Sequence, residues 1–235
     1  MIKKNTLICE NLCIFRGNEM ILENISFSLM PGACIRIVGE NGSGKTSLLR
    51  CLARLDDSNH GKITYNSCCV DEFIDEYKQI ILYISDKEQL NDRMTVYETI
   101  SFWADIYSAE ILLEAAVRTT NLEAYLDTPI KFLSRGLKKR VVLMRLLIQR
   151  SRIWLLDEPF VNLDVETIDM ISNVMNSHLS NGGIIVFSDH MQDNLNSTSK
   201  DIAQLKNMGY KVGSSSQLKK QEIILLVKDF KRFRI

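Results

Sequence analysis

Nine consecutive residues, Gly39-Glu40-Asn41-Gly42-Ser43-Gly44-Lys45-Thr46-Ser47, have the composition of a backbone built to curl around a polyanion. They fit the pattern G-x-x-x-x-G-K-[ST]. Gly39, Gly42 and Gly44 tolerate positive φ and carry no side chain, so the freed N–H groups can face phosphates. Lys45 adds a full charge near the β and γ groups, Thr46 offers a hydroxyl to Mg²⁺, and a helix starting here brings its N-terminal partial charge. A second stretch, Ile153-Trp154-Leu155-Leu156-Asp157-Glu158, is four apolar residues ending in two carboxylates. A buried strand can carry such acids to the C-terminal edge of a parallel sheet, where ligands gather. There Asp157 would hold Mg²⁺, directly or through water, opposite Thr46, and Glu158 would polarise an attacking water as general base.

The flanks supply the elements that must position these groups. Ala33 to Val38 reads as the strand entering the phosphate loop, and Ser47 to Ala53 as the helix leaving it. Before them, Leu7 to Phe15 and Ile21 to Leu29 alternate apolar and polar residues around Arg16-Gly17-Asn18-Glu19, which predicts an antiparallel pair. Lys62 to Tyr65 returns as a strand, and Ile80 to Ile84 reads as a buried strand ending at Ser85-Asp86. From Thr95 to Arg150 apolar residues recur at helical spacing, with Leu137 to Gln149 read as one helix. Arg152 to Leu156 and Gly182 to Phe187 are strands around a helix over Val165 to Leu179, so a parallel sheet with crossovers is expected. Asp201 to Leu205 and Tyr210 to Val212 read as short strands, and the apolar run of the tail, Ile223 to Val227, as an edge strand.

Composition narrows the function classes. The chain has 235 residues, 46% of them hydrophobic, and balances 29 basic against 29 acidic side chains, so nothing global calls for nucleic acid. No apolar run approaches the roughly 20 residues that span a bilayer. Six cysteines (Cys9, Cys13, Cys34, Cys51, Cys68, Cys69) lie at spacings that match no zinc site and read as reduced thiols.

Further motifs carry a resemblance. A signature-like motif, Leu133-Ser134-Arg135-Gly136, opens a helix just before the acid-tipped strand, Asn162-Leu163-Asp164 follows that strand, and Phe187-Ser188-Asp189-His190 ends the next one. With the phosphate loop, these make the chain resemble the ABC-type ATPases, the nucleotide-binding subunits of transporters, over about residues 5 to 220. Within that family the likeness is nearest to the ATP-binding subunits of haem exporters of the cytochrome c maturation system, through Ser43 to Arg50, Thr95 to Trp103 and Trp154 to Phe160. The resemblance implies an α/β fold: a P-loop NTPase (RecA-like) core with an N-terminal antiparallel β subdomain and an inserted α-helical subdomain. The chain would be a single ATP-binding domain over 1–235, with 1–86 and 149–235 as core and 87–148 as the helical subdomain.

The resemblance also implies ATP and Mg²⁺ as cofactors and a head-to-tail homodimer in which each ATP is sandwiched between one subunit's phosphate loop and the other's signature. Ser134 and the N–H of Gly136 would meet the γ-phosphate at a helix N-terminus. His190 would contact the same phosphate and orient Glu158, Asp164 would bridge the subunits, and Phe15 would stack on adenine. Separate transmembrane subunits would carry the substrate path. The chain itself would be peripheral, on the cytoplasmic face of an inner membrane or the matrix side of the mitochondrial one, with no room for a cleaved transit peptide before Leu7. Two departures stand out: Asp86 replaces the usual Gln, while able to ligate Mg²⁺, and Arg135 and Leu137 replace a small residue and a Gln in the signature. They motivate one alternative, a nucleotide-binding regulatory module with little turnover; the ATPase subunit of a different ABC transporter stays open as a second. The closing basic-aromatic segment of the tail could touch anionic lipid, or end as a solvated strand.

Overall fold

The strands sort into two sheets, and the sorting follows their apolar pattern. A computed structural model describes residues 5–56, 60–87, 90–189, 211–214 and 224–229. The first sheet is antiparallel and four-stranded. Its members are β1 (Leu7–Arg16), β2 (Glu19–Leu29), β4 (His60–Tyr65) and β5 (Cys68–Cys69), in the order β2-β1-β4-β5. Leu7 pairs with Leu29 on one side and Tyr65 on the other, so the alternating residues of β1 bury one face.

The second sheet contains β3 (Ala33–Val38), β6 (Ile81–Ile84), β7 (Ile153–Leu156), β8 (Ile184–Asp189), β9 (Lys211–Ser214) and β10 (Ile224–Asp229), in the order β6-β7-β8-β3-β10-β9. The pairs β6·β7, β7·β8 and β8·β3 are parallel, as the alternation of strands and helices predicts. Both faces of this part are covered, which is why its strands are mostly apolar, with Arg36 in β3 and Ser188 and Asp189 in β8 as exceptions. Ile153 and Leu155 point into a core shared with the first sheet and α1 (Lys45–Leu52). Trp154 and Leu156 point the other way, against α7 (Val165–Ser180) and α5 (Arg135–Leu143).

Between β6 and β7 run α3 (Val96–Tyr107), α4 (Glu110–Thr119), α5 and α6 (Arg145–Ile148), around a separate core that includes Val96, Ile100, Leu122 and Met144. Thr95 and Glu98 cap α3 reciprocally: the Thr95 hydroxyl takes the Glu98 N–H at 3.1 Å and the Glu98 carboxylate takes the Thr95 N–H at 2.8 Å.

Three expectations are corrected. The helix read over Leu137 to Gln149 starts earlier and breaks at Met144, whose N–H is shared between the carbonyls of Arg140 and Val141 at 3.1 and 3.2 Å, tightening that turn. The phosphate-loop helix begins at Lys45 and not at Ser47. The tail strand is not an edge strand: β10 lies between β3 and β9, antiparallel to both, with Leu226 opposite Arg36. Short β5 and α2 (Ile74–Gln79) had no pattern long enough to announce them. The strand expected at Asp201 to Leu205 and the basic-aromatic end of the tail lie outside the described residues.

Candidate active site

Beyond β3 the backbone turns sharply through Gly42 and Gly44, with φ of +83° and +95°. A Cβ on Gly44 would meet the Ile21 side chain at 2.7 Å, so the loop passes too close to β2 for any other residue. The next residue starts α1. Lys45 is 5% exposed, and its ammonium donates to the carbonyls of Gly39 at 2.8 Å and Glu40 at 3.0 Å, which fold the loop around it. Ser43 is buried within the loop, and Asn41, Gly42, Gly44, Thr46 and Ser47 face the cleft beside it.

The acid-tipped strand meets this loop directly. Thr46 Oγ1 donates to Asp157 Oδ2 at 2.7 Å. Asp157 is fully buried, and its other carboxylate oxygen accepts from the Ser188 hydroxyl at 2.5 Å. Ser188 in turn accepts the Glu158 N–H at 2.9 Å. One serine at the end of β8 therefore fixes both acids at the end of β7, and Glu158 is held there with a left-handed φ of +50°. Sequence reasoning missed Ser188. Its signal was a hydroxyl inside the otherwise apolar run of β8, a place where a polar group must find a partner.

These groups border a cleft of about 730 Å³ between the two sheets. Phe15, Arg16 and Gly17 form one wall, from the end of β1, and Phe15 makes an edge contact with His60 at 5.9 Å between ring centroids. Tyr83 and Asp86 form another, with Glu158 nearby. Asp86 is exposed and accepts the Lys87 N–H at 2.8 Å. Burial, then the Asp157 carboxylate, pushes the Tyr83 phenol up to about 12. Arg50 holds Asp56 through two bonds of 2.7 Å at the same rim, and that contact keeps the Asp56 carboxyl below the usual carboxylate range. The adjoining hydroxyl of Thr46 and carboxylate of Asp157 are hard oxygen donors, the type a small divalent cation takes.

The structure does not bring every candidate together within one chain. Ser134 and Gly136 stand at the start of α5, away from the cleft walls; the Ser134 hydroxyl caps that helix by accepting the Leu137 N–H at 3.2 Å. His190 lies outside the described residues. Among the described residues no cluster of three or more His, Cys, Asp or Glu forms a metal site, and the six cysteines are free thiols.

A phosphate loop opening a helix, a buried acid-tipped strand hydrogen-bonded to it, and a parallel sheet flanked by an antiparallel one and a helical insertion define a P-loop ATPase. The chain belongs to the ABC transporter family, whose model, described as ABC transporter, matches residues 22–161. It is similar to the cytochrome c biogenesis ATP-binding export protein CcmA of Wolbachia pipientis wMel, at 37% identity over 78% of this chain and 89% of that one. The protein of the same name from Escherichia coli K12 is 32% identical over 83% of this chain and 91% of its own. Among solved structures, an ATP-binding subunit of an ABC transporter superposes with a TM-score of 0.70 at 24% identity, covering 79% of each chain. A bacterial Atm1-family ABC exporter with ATP bound gives 0.71 at 22% identity, covering 83% of this chain and 36% of that one. Both structural likenesses concern the fold. Membership makes this chain an ATP-binding, ATP-hydrolysing domain, and no helix among its described residues is long and apolar enough to cross a membrane.

Proposed function

We propose that this chain is the ATP-hydrolysing subunit of a haem exporter that serves cytochrome c maturation, bound to the inner face of its membrane through separate transmembrane subunits. The observation that carries the hydrolytic part is the junction of Thr46 with Asp157, at 2.7 Å, with Glu158 on the same cleft. The haem-export part rests on the two CcmA relatives, each matched over most of its length.

Lys45 and the loop amides bind the β and γ phosphates, and Phe15 supplies a face for the adenine ring. Thr46 and Asp157 would hold Mg²⁺, with Asp86 as a further candidate oxygen donor in the same cleft. When bound, the ion neutralises charge that develops on the phosphate oxygens. Glu158 accepts a proton from the attacking water, and His190 holds Glu158 and the γ-phosphate in line. Ser134 and Gly136 need a second copy of the chain: as a head-to-tail pair, each subunit presents the start of its α5 to the other's nucleotide. Arg135, exposed beside them, either strengthens this contact through a charge-assisted hydrogen bond or, by its bulk, opposes closure of the pair. ATP binding closes the pair, and hydrolysis opens it.

The test uses the chain coexpressed with the membrane subunits of its source. Expected are Mg²⁺-dependent ATP hydrolysis that Lys45→Ala removes and holocytochrome c formation that disappears with it. Hydrolysis no faster than the Lys45→Ala control overturns the ATPase assignment; hydrolysis with unaltered cytochrome c maturation overturns the haem assignment alone.

A further inference from the structure

The loop from Glu158 to Asp164 has little to hold it internally. Its two turn hydrogen bonds, from Val161 to Glu158 and from Leu163 to Phe160, are both 3.4 Å long. Two of its non-glycine residues, Glu158 and Asn162, are left-handed, with φ of +50° and +65°. Such residues cost about 1 kcal/mol each and persist only where the surroundings over-determine them.

At its near end the surroundings are Ser188, which takes the Glu158 N–H, and Phe187, on which Phe160 packs edge-on at 5.8 Å. At its far end Leu163 packs on the core shared by α5, α7 and β7, and α5 adds the polar contacts. Asp164 caps α7 by accepting the Thr167 N–H at 2.8 Å with one carboxylate oxygen, and accepts from Arg140 at 3.2 Å with the other. The same Arg140 nitrogen donates to the Thr167 hydroxyl at 2.7 Å, and a second guanidinium nitrogen lies 3.5 Å from the Thr120 carbonyl. Arg140 is only 16% exposed and so is confined to this geometry. One turn earlier on α5, a Cβ on Gly136 would lie 3.0 Å from the Asn162 carbonyl, so helix and loop meet a second time.

We propose that Arg140 is a positioning residue for Glu158: by clamping Asp164 and Thr167 it fixes the far end of the loop that starts at Glu158, so the signature helix sets the turnover of its own chain. This rests on the ATPase reading above. The clamp acts on the placement of Glu158 and leaves the phosphate loop untouched, so it governs kcat and not ATP affinity. A lysine keeps the charge but lacks the rigid fork that reaches several oxygens at once.

The test is a double-mutant cycle on the chain with its membrane subunits. Arg140→Ala should lower kcat by about tenfold or more with KM for ATP changed less than about twofold, and Arg140→Lys should recover part of the loss. In a Glu158→Gln background, where there is no base left to place, Arg140→Ala should lower the residual single-turnover rate by less than about twofold. Thr167→Val, a near-isostere that removes one arm of the clamp, is read in the same way if Arg140→Ala does not fold. Equal fractional losses in both backgrounds, no loss, or a loss confined to KM would overturn the proposal. A parent protein without turnover above its Lys45→Ala control would instead overturn the ATPase reading, and the proposal with it.

Discussion

Thr46 Oγ1 donates a 2.7 Å hydrogen bond to Asp157 Oδ2, joining the first turn of the phosphate-loop helix to a strand end 111 residues further along the chain. The bond helps hold a fully buried carboxylate beside the cleft, where the Thr46 and Ser188 hydroxyls both donate to it. Asp157→Asn keeps the volume and lets both hydroxyls reorient, but removes the charge that, on the proposed reading, would hold Mg²⁺. Turnover should fall by about 100-fold or more at a fixed Mg²⁺ concentration, since an ion clamp on the phosphates is worth several kcal/mol. The melting temperature should not drop, because a neutral amide is cheaper to bury than an ion. Unchanged turnover with a lowered melting temperature would show a purely structural carboxylate.

Ser188→Ala removes one oxygen and leaves two partners. Asp157 Oδ1 loses its donor and the Glu158 N–H its acceptor, so a destabilisation of about 1–3 kcal/mol is expected from unsatisfied buried groups. Urea unfolding measures that cost. Because Glu158 has a left-handed backbone anchored by this bond, kcat should fall more than KM rises. A midpoint of unfolding equal to that of the parent would refute the role of the serine.

These two sites show what the sequence could and could not reveal. Gly39 to Ser47 and the pair Asp157-Glu158 were legible because their types are costly elsewhere: glycines with a lysine, and acids ending an apolar run. Ser188 was less so: a hydroxyl in a mostly apolar strand implies a partner, but not that the partners are Asp157 and the Glu158 N–H. Arg140 had no local signal at all, with partners 24 and 27 residues away. The left-handed backbone at Asn162 suits an asparagine, but nothing in a glutamate announces the same conformation at Glu158. Apolar pattern identified the tail as a strand but not its neighbour, because alternation specifies which residues are buried and says nothing of which edge the strand joins.

That neighbour makes the tail testable. β10 is hydrogen-bonded to β3, from Ile224 opposite Val38 to Asp229 opposite Ala33, and β3 feeds the phosphate loop. Truncation after residue 220 would expose the backbone edge of β3 and leave β9 without a partner. Unpaired strand edges recruit other chains, so the truncated protein should aggregate or melt at a lower temperature and bind ATP more weakly. A soluble truncation with the parent's melting temperature would show that β3 does not depend on β10.

Stability also depends on pH through His178, which lies far along α7 from its capping Asp164. His178 stacks on Trp154, with ring centroids 3.7 Å apart and planes 9° from parallel, and burial holds its pKa down at about 4 instead of the usual 6.5. The native state therefore keeps this imidazole neutral at pH values where the unfolded chain would protonate it. Between pH 6.5 and 4 the unfolded state binds the extra proton, so stability falls as pH falls, with a slope of at most about 1.4 kcal/mol per pH unit. The stabilisation is fully present above about pH 6.5, and below about pH 4 both states are protonated and this slope vanishes. His178→Phe keeps an aromatic ring against Trp154 and removes the titration. Urea unfolding at a series of pH values should give a difference between parent and variant that is flat above pH 6.5 and tilts below it, whatever constant offset the larger ring adds. A difference that stays flat down to pH 4 would mean that His178 accepts its proton without leaving the stack.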